Sequence, residues 1–535
     1  MKFEMNVNSM LFNTSKTNSL YILGGVFFLA LILRLYYYNT TVLLDLDSMG
    51  FFSYAVDIHV LGTLPENYAV AKQGWPVFLA ALFSIFNFDY TEAYMQLQKI
   101  SAIFLSSITI FPVYLLCRKF LERKYSFLSA AIFASEPHLV YNSITGNSES
   151  LYILCIIVTI VCFMSQNKKI IYFSFILAGI SSIVRPEGLF VFISISIMFL
   201  IRFRKEYLNI PKYILAATLF MLILSPIMIN QEKIEDGESL FVRAYNSIGL
   251  YFPSNENPSS VDSLEQDQKI QQINPRISII TGIENFSKFL GWVLIPTFIL
   301  LAPLGFILFF RNMENKKLTI IVLTTITAIP AFYAYSYPLP EIKYLFFLFP
   351  FFCIFSGFSL KLFLEKIHAK NFLLIIIVVA IVSSSVIFMD YKYDFRHQDE
   401  SSMIAKYIVD NTRVINGYYP EVRYLEATDL IEKYKDWSEL KNFYANVDRD
   451  KNDTRSKLPH KILIIDPNEY DSMEELIFSS KDKKLTHLIL DGKEKNPDFL
   501  NQVYFNEGAL PYLEKVYDSS ELGYNYHVKI FKINF

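Results

Sequence analysis

Cysteine is scarce in this chain. Its 535 residues hold four, Cys117, Cys155, Cys162 and Cys353, each inside an apolar run. None follows residue 353, so no disulfide framework supports the polar tail, and membrane packing accounts for all four. Charge is scarce as well: Asp, Glu, Lys and Arg make up 19% of the chain, against 53% hydrophobic residues. The charges are also segregated, with roughly half of them beyond residue 389. There is no basic stripe and no RNP-like or finger-like motif, which argues against a nucleic-acid partner. No convincing internal repeat occurs. A transporter or lipid flippase predicts repeats and a polar path at mid-membrane depth, so that reading stands second.

What the chain does have is long apolar runs. Residues 19–38 contain one charge, Arg34, and are long enough to span a bilayer core. No small-residue cleavage site follows them, so they read as a membrane helix rather than a signal peptide. Similar runs recur near 96–117, 125–142, 148–165, 170–184, 188–203, 211–230, 289–310, 317–337, 344–363 and 371–389, which predicts about eleven spans. The apolar stretch 75–88 is brief and reads as re-entrant or interfacial.

Loop charge supports this count. With the N-terminus inside, the inner loops carry Arg118, Lys119, Arg123 and Lys124, then Lys168 and Lys169, then Arg202, Arg204 and Lys205. They continue with Arg311, Lys316 and Lys317, and with Lys366 and Lys370. Every inner loop is basic, as the positive-inside rule requires, and a full span at 75–88 would invert them all. The reading is a polytopic α-helical membrane domain over 1–389, with outer loops 39–95 and 231–288, and a soluble extracytoplasmic α/β domain over 390–535. In the tail, strand-like runs occur at 461–466, 486–491 and 527–533, with a helical pattern at 421–435.

The chemically unusual residues then collect on the outer side. Asp45 and Asp47 follow the first span; Asp47 reads as an N-cap for a helix over 48–61, or as a carboxylate that acts as general base toward a hydroxyl. "ITGNSESLY" carries Glu149 at a helix start, and "SEPHLV" carries Glu136 and His138, where helix-end preference and packing compete with metal binding. "SSIVRPEGLF" is a tight turn holding Arg185 and Glu187, and "YPLPEIKYLFFLFP" holds Lys343 beside Glu341. Pairing and interfacial snorkelling are the plain explanations for these cations. Together, acids and cations at one depth suit a reaction between a membrane-held phosphate and a hydroxyl.

The series resembles the GT-C glycosyltransferases, polytopic enzymes that use lipid-phosphate-linked sugars. It is most similar to the family 39 type, related to protein O-mannosyltransferases and aminoarabinose transferases, with an archaeal or bacterial style of composition. That family's outer loop reads roughly D-E-x-x-Y-x-x-x-A, then G-x-x-P; here "DSMGFFSYAVDIHVLGTLP" sets Asp47, Phe51 and Ala55 in register, then Gly62 and Pro65. "NSESLY" maps the second acid onto Glu149, "VRPEGL" maps T-R-P-E-G-L onto Arg185, Pro186 and Glu187, and "EIKYLFFLFP" maps R-Y-x-x-P onto Lys343 and Tyr344. The resemblance implies a GT-C fold in a plasma membrane. It implies an inverting sugar transfer from a polyprenyl- or dolichyl-phosphate donor to a protein, lipid or glycan hydroxyl. Asp47 is then the base with Asp45 and Glu149 beside it. Arg185, Lys343 and Tyr344 hold the lipid phosphate. Glu136, His138 and Glu187 support the acceptor or a divalent cation, Mg or Mn. Ser48 departs from the family by replacing the acid after Asp47, and Lys343 replaces Arg, losing its fork. The tail has no W-W-D-Y-G motif, so en bloc transfer of the oligosaccharyltransferase kind is a further alternative.

Overall fold

The computed structural model describes residues 16–42, 44–64, 72–86, 88, 91–206, 209–231, 275–311, 314–336, 341–366, 371–417, 422, 463–479, 485–491, 497–507 and 510–534. Most of loop 231–288, the 421–435 pattern and Pro65 lie outside them. The chain divides into two compact units. One comprises Met1–Tyr38, Thr63–Leu82 and Gln98–Met389; the other comprises Asn39–Gly62, Phe83–Leu97 and Asp390–Phe535.

The helices run in chain order as α1 (Lys16–Tyr37), α2 (Leu46–Leu61), α3 (Gly74–Ile85), α4 (Thr91–Ile108), α5 (Ile110–Cys117) and α6 (Arg123–Ala134). They continue as α7 (Pro137–Ile144), α8 (Glu149–Phe163), α9 (Lys168–Val184), α10 (Gly188–Phe203), α11 (Asn209–Gln231) and α12 (Pro275–Leu294). Then come α13 (Leu301–Phe310), α14 (Asn315–Ser336), a 3-10 segment Ile342–Leu348, α15 (Phe349–Lys366), α16 (Asn371–Lys392) and α17 (Phe395–Asn411).

Six of the described helical stretches are long and apolar enough to cross a membrane: Ser19–Tyr37, Glu92–Cys117, Asn209–Ile229, Lys316–Ser336, Ile342–Lys366 and Phe372–Lys392. Shorter apolar helices accompany them, α3, α8, α10 and α13 among them. Burial sorts the six. The Ile342–Lys366 stretch is 83% buried and forms the centre, while those of α1 and α16 are 22% and 17% buried and present their apolar side chains outward.

Two runs expected as single spans are broken. The 125–142 run is α6 and α7, because Pro137 heads α7 without an N–H to donate backward. The 289–310 run is α12 and α13, with Pro296 in the gap between them. The 96–117 run stays one stretch: Pro112 cannot bond to the Ile108 carbonyl, but Thr109, between α4 and α5, keeps right-handed helical geometry.

Arg34, the lone charge of α1, is fully buried. Its guanidinium donates to Ser106 Oγ at 3.2 and 2.9 Å, to the Ala30 carbonyl at 3.1 Å and to the Ala134 carbonyl at 2.9 Å. Carbonyls at the end of a helix carry partial negative charge, so the C-terminus of α6 is a suitable counterpart for a buried cation.

The second unit holds a five-stranded mixed sheet in the order β2-β1-β3-β5-β4. Its elements are β1 (Val414–Asn416), β2 (Leu463–Ile465), α18 (Met473–Ser479), β3 (His487–Leu490), α19 (Asp498–Phe505), β4 (Leu513–Asp518) and β5 (Lys529–Ile533). Strands β1, β2 and β3 pair parallel, and β5 pairs antiparallel with β3 and β4. Alternation sends neighbouring residues to opposite faces. Val414, Leu488 and Phe531 join the layer with Leu476 and Leu500 of α18 and α19, while Ile415, Ile489 and Ile530 join the layer with Ile404 and Ile408 of α17. Both faces are covered, which explains the unbroken apolar run Leu488–Leu490 in the central strand β3.

Candidate active site

The turn between α9 and α10 is tight because of Gly188. A Cβ there would lie 2.4 Å from the Ser182 backbone nitrogen, so only glycine lets α10 start so close to α9. The turn carries Arg185 at the end of α9 and Glu187 before α10. Arg185 Nε and Nη2 donate to the Glu187 carboxylate at 3.3 and 3.1 Å, and Nη1 donates to Glu149 Oε1. Glu149 opens α8, and its other oxygen accepts from Asn142 Nδ2 at 3.4 Å. One turn along α8, Tyr152 presents its ring to the guanidinium at 5.7 Å. Arg185 is only 2% exposed.

The electrostatics of this cluster lock its charge state. Burial alone favours a neutral Glu187, but the Arg185 guanidinium outweighs it and, with Lys72, holds the carboxyl down at about 2. Burial alone would lower Arg185, and Glu187 and Glu149 together reverse that, so the guanidinium stays charged.

Glu149, Arg185 and Glu187 line one cavity together with Lys343 and Tyr344. Five residues singled out from three separate stretches of sequence therefore share one space. Lys343 Nζ lies 2.6 Å from Glu341. Thr327, Pro330 and Ala331 of α14 also line the cavity, as do Phe346 and Phe347. Sequence reasoning missed Tyr152 and Thr327, since a Tyr or Thr inside an apolar helix carries no pattern that sets it apart.

Glu136 and His138 do not line this cavity. Glu136 caps α7, its carboxylate lies 2.7 Å from His138 Nδ1, and both are buried. The imidazole packs among Phe346, Phe349 and Phe388, with ring centroids 5.2 to 6.3 Å away. Asp45 and Asp47 belong to the second unit. Here the cap differs from the expectation: Asp45, not Asp47, is the N-cap, accepting from the Ser48 N–H at 2.8 Å, and α2 begins at Leu46. Asp47 lies in the first turn. The reason is that a cap side chain must precede the helix, and Leu46 already has helical geometry. Thr41 Oγ1 donates to Asp399, which ties the segment leading into α2 to α17.

Both carboxylates facing the cavity are already held by a guanidinium, and among the described residues no three His, Cys, Asp or Glu side chains converge.

Residues 73–229, from Gln73 at the head of α3 through α11, match the model of the dolichyl-phosphate-mannose-protein mannosyltransferase family. No curated protein matches the chain by sequence. Among solved structures, the chain is similar to the oligosaccharyltransferase of Archaeoglobus fulgidus in complex with Zn and sulfate, at 11% identity and a TM-score of 0.56, covering 96% of this chain and 73% of that one. The archaeal oligosaccharyltransferase AglB of the same organism, in complex with an inhibitory peptide and a dolichol-phosphate, gives 12% identity and 0.55, covering 97% and 74%. ArnT from Cupriavidus metallidurans bound to undecaprenyl phosphate superposes more loosely, at 9% identity and 0.48, covering 97% and 98%. At these identities the archaeal likeness is one of fold. The family match and that fold together support a membrane glycosyltransferase of the GT-C type.

Proposed function

We propose that the protein transfers a sugar from a polyprenyl- or dolichyl-phosphate donor to an acceptor hydroxyl at the outer face of a prokaryotic plasma membrane, with inversion at the sugar carbon. The observation that carries the reading is the cavity beside Arg185, whose lining combines the charged Glu149, Arg185, Glu187 and Lys343 with apolar residues such as Pro330, Ala331 and Phe346. An isoprenoid phosphate combines the same two characters. Arg185 uses three of its five N–H donors on Glu149 and Glu187, which leaves two for phosphate oxygens. Lys343 adds a second cation. Tyr344 borders the same space, and the wall of α14 takes the first isoprene carbons.

Asp47 removes the proton from the acceptor hydroxyl as its oxygen attacks the sugar carbon. The bond to phosphate breaks, its electron pair leaves with the phosphate, and Arg185 and Lys343 stabilise that charge. Glu149 and Glu187 fix the guanidinium, so their task is positioning. Asp45 caps α2, and Asp47 is the acid in register with the family's first outer-loop motif. The basic inner loops support an outward-facing site and an extracytoplasmic tail. A dolichol-phosphate accompanies the archaeal fold relative, which agrees with a lipid-phosphate donor. No step is assigned to Mg or Mn, since the cavity's carboxylates are taken up by Arg185. Asp47→Asn tests the assignment: sugar transfer in membranes should fall by about 10²- to 10⁴-fold with protein level unchanged. Full activity would remove Asp47 from the mechanism.

A further inference from the structure

A second polar site adjoins the charged cavity and is not accounted for by phosphate binding. The segment Lys72–Trp75, leading into α3, lies flat on the turns that carry the cavity residues. A Cβ on Gly74 would stand 2.8 Å from the Val184 backbone, one residue before Arg185. Lys72 contributes to holding Glu187 ionised. Trp75 Nε1 and Gln98 Nε2 both donate to the Gly146 carbonyl, at 3.1 and 2.9 Å, three residues before Glu149. Within this polar seam, Gln73 is fully buried, and neither atom of its amide has a hydrogen-bond partner among the described residues. Ser148, next to Glu149, is also fully buried. It stands at the N-cap position of α8 but makes no cap bond, and its hydroxyl is likewise unpartnered among the described residues.

Leaving a buried amide and a buried hydroxyl unmatched carries the full desolvation penalty of each group, so such groups mark a place for a ligand. Their chemistry selects the ligand. A phosphate only accepts hydrogen bonds, and it would leave the Gln73 carbonyl oxygen unmatched. Sugar hydroxyls donate and accept, and a vicinal pair matches both atoms of an amide. We propose that Gln73 and Ser148 read the hydroxyls of the transferred sugar, while the cavity beside Arg185 holds its lipid phosphate. This inference rests on the lipid-linked glycosyltransferase reading.

The test compares binding of dolichyl phosphate, dolichyl-phosphate mannose and dolichyl-phosphate glucose to the full-length detergent-solubilised chain. The wild type should bind at least one sugar-bearing lipid about tenfold or more tighter than bare dolichyl phosphate. Gln73→Leu should remove most of that excess, and Ser148→Ala part of it. Both should leave dolichyl phosphate affinity within about twofold. Their thermal midpoints should hold or rise, because each removes an unmatched buried polar group. The inference is overturned if the excess survives in both variants. It is equally overturned if both variants weaken all three lipids alike or lower the midpoint, which would mark a structural role. A wild type that binds the three lipids equally overturns the sugar subsite alone. One that binds none overturns the glycosyltransferase reading itself.

Discussion

Two sets of acids stand at helix starts in this protein, and they have been put to different uses. At the start of α2, Asp45 spends its carboxylate on the Ser48 N–H, and Asp47 follows in the first turn. At the starts of α8 and α10, Glu149 and Glu187 make no cap bond and share Arg185 instead. The difference is one of competition. Both bonds are charge-assisted, but the cap offers one N–H and a partial charge, whereas a guanidinium offers a full charge and a planar fork of N–H donors. Where Arg185 is in reach, it takes the carboxylates; at α2, Asp45 serves the helix.

The comparison can be broken hardest at Arg185. Arg185→Leu strands two carboxylates in a buried cluster and should destabilise the fold by about 3–5 kcal/mol, read as a lower thermal midpoint in detergent. An unchanged midpoint would mean that Glu149 and Glu187 find other partners. The charge state of Glu187 sharpens the contrast. Its carboxyl is lower in the folded chain, at about 2, than in the unfolded one, so the stability it adds is present above pH 4.5 and is lost as pH falls toward about 2. Glu187→Gln should therefore flatten the acid limb of a midpoint-against-pH curve while leaving its shape from pH 5 to 8 alone. The smallest effect belongs to the other pair. Asp45→Ala should cost about 1 kcal/mol through the lost cap and keep transfer activity, unlike Asp47→Asn. Equal loss of transfer in both variants would mean that the two acids are not divided in this way.

The apolar runs made most of the helices legible, because a bilayer-length run of apolar residues has few other uses. Their interruptions were less visible. Pro137 and Pro296 are plain in the sequence, but proline is tolerated inside membrane helices, as Pro226 is in α11 and Pro330 in α14. Whether it breaks a helix depends on neighbours that one-dimensional periodicity does not contain. In the tail, β3, β5 and the described part of β2 fall within the apolar runs, while β1 is three residues long and β4 alternates with charge. For the cavity, the charged residues stood out against the apolar background and could be singled out one by one. That Arg185 takes Glu149 and Glu187 together is a matter of three-dimensional reach. The Asp45 cap was ambiguous because Asp47 two residues later carries the same chemistry. Gln73 had a faint signal, a polar Lys-Gln-Gly step abutting an apolar helix, and burial alone gives it meaning.

Arg34 has a consequence for how the chain is made. Its partners, Ser106 and Ala134, follow it by 72 and 100 residues. When α1 leaves the ribosome, neither exists, and an unmatched guanidinium within an apolar helix is costly in lipid. The first helix therefore cannot settle as an independent anchor. Three of the four Arg34 contacts lie beyond α1 and are complete only when α6 arrives, which makes the opening quarter of the chain a unit of assembly rather than a string of separate insertions.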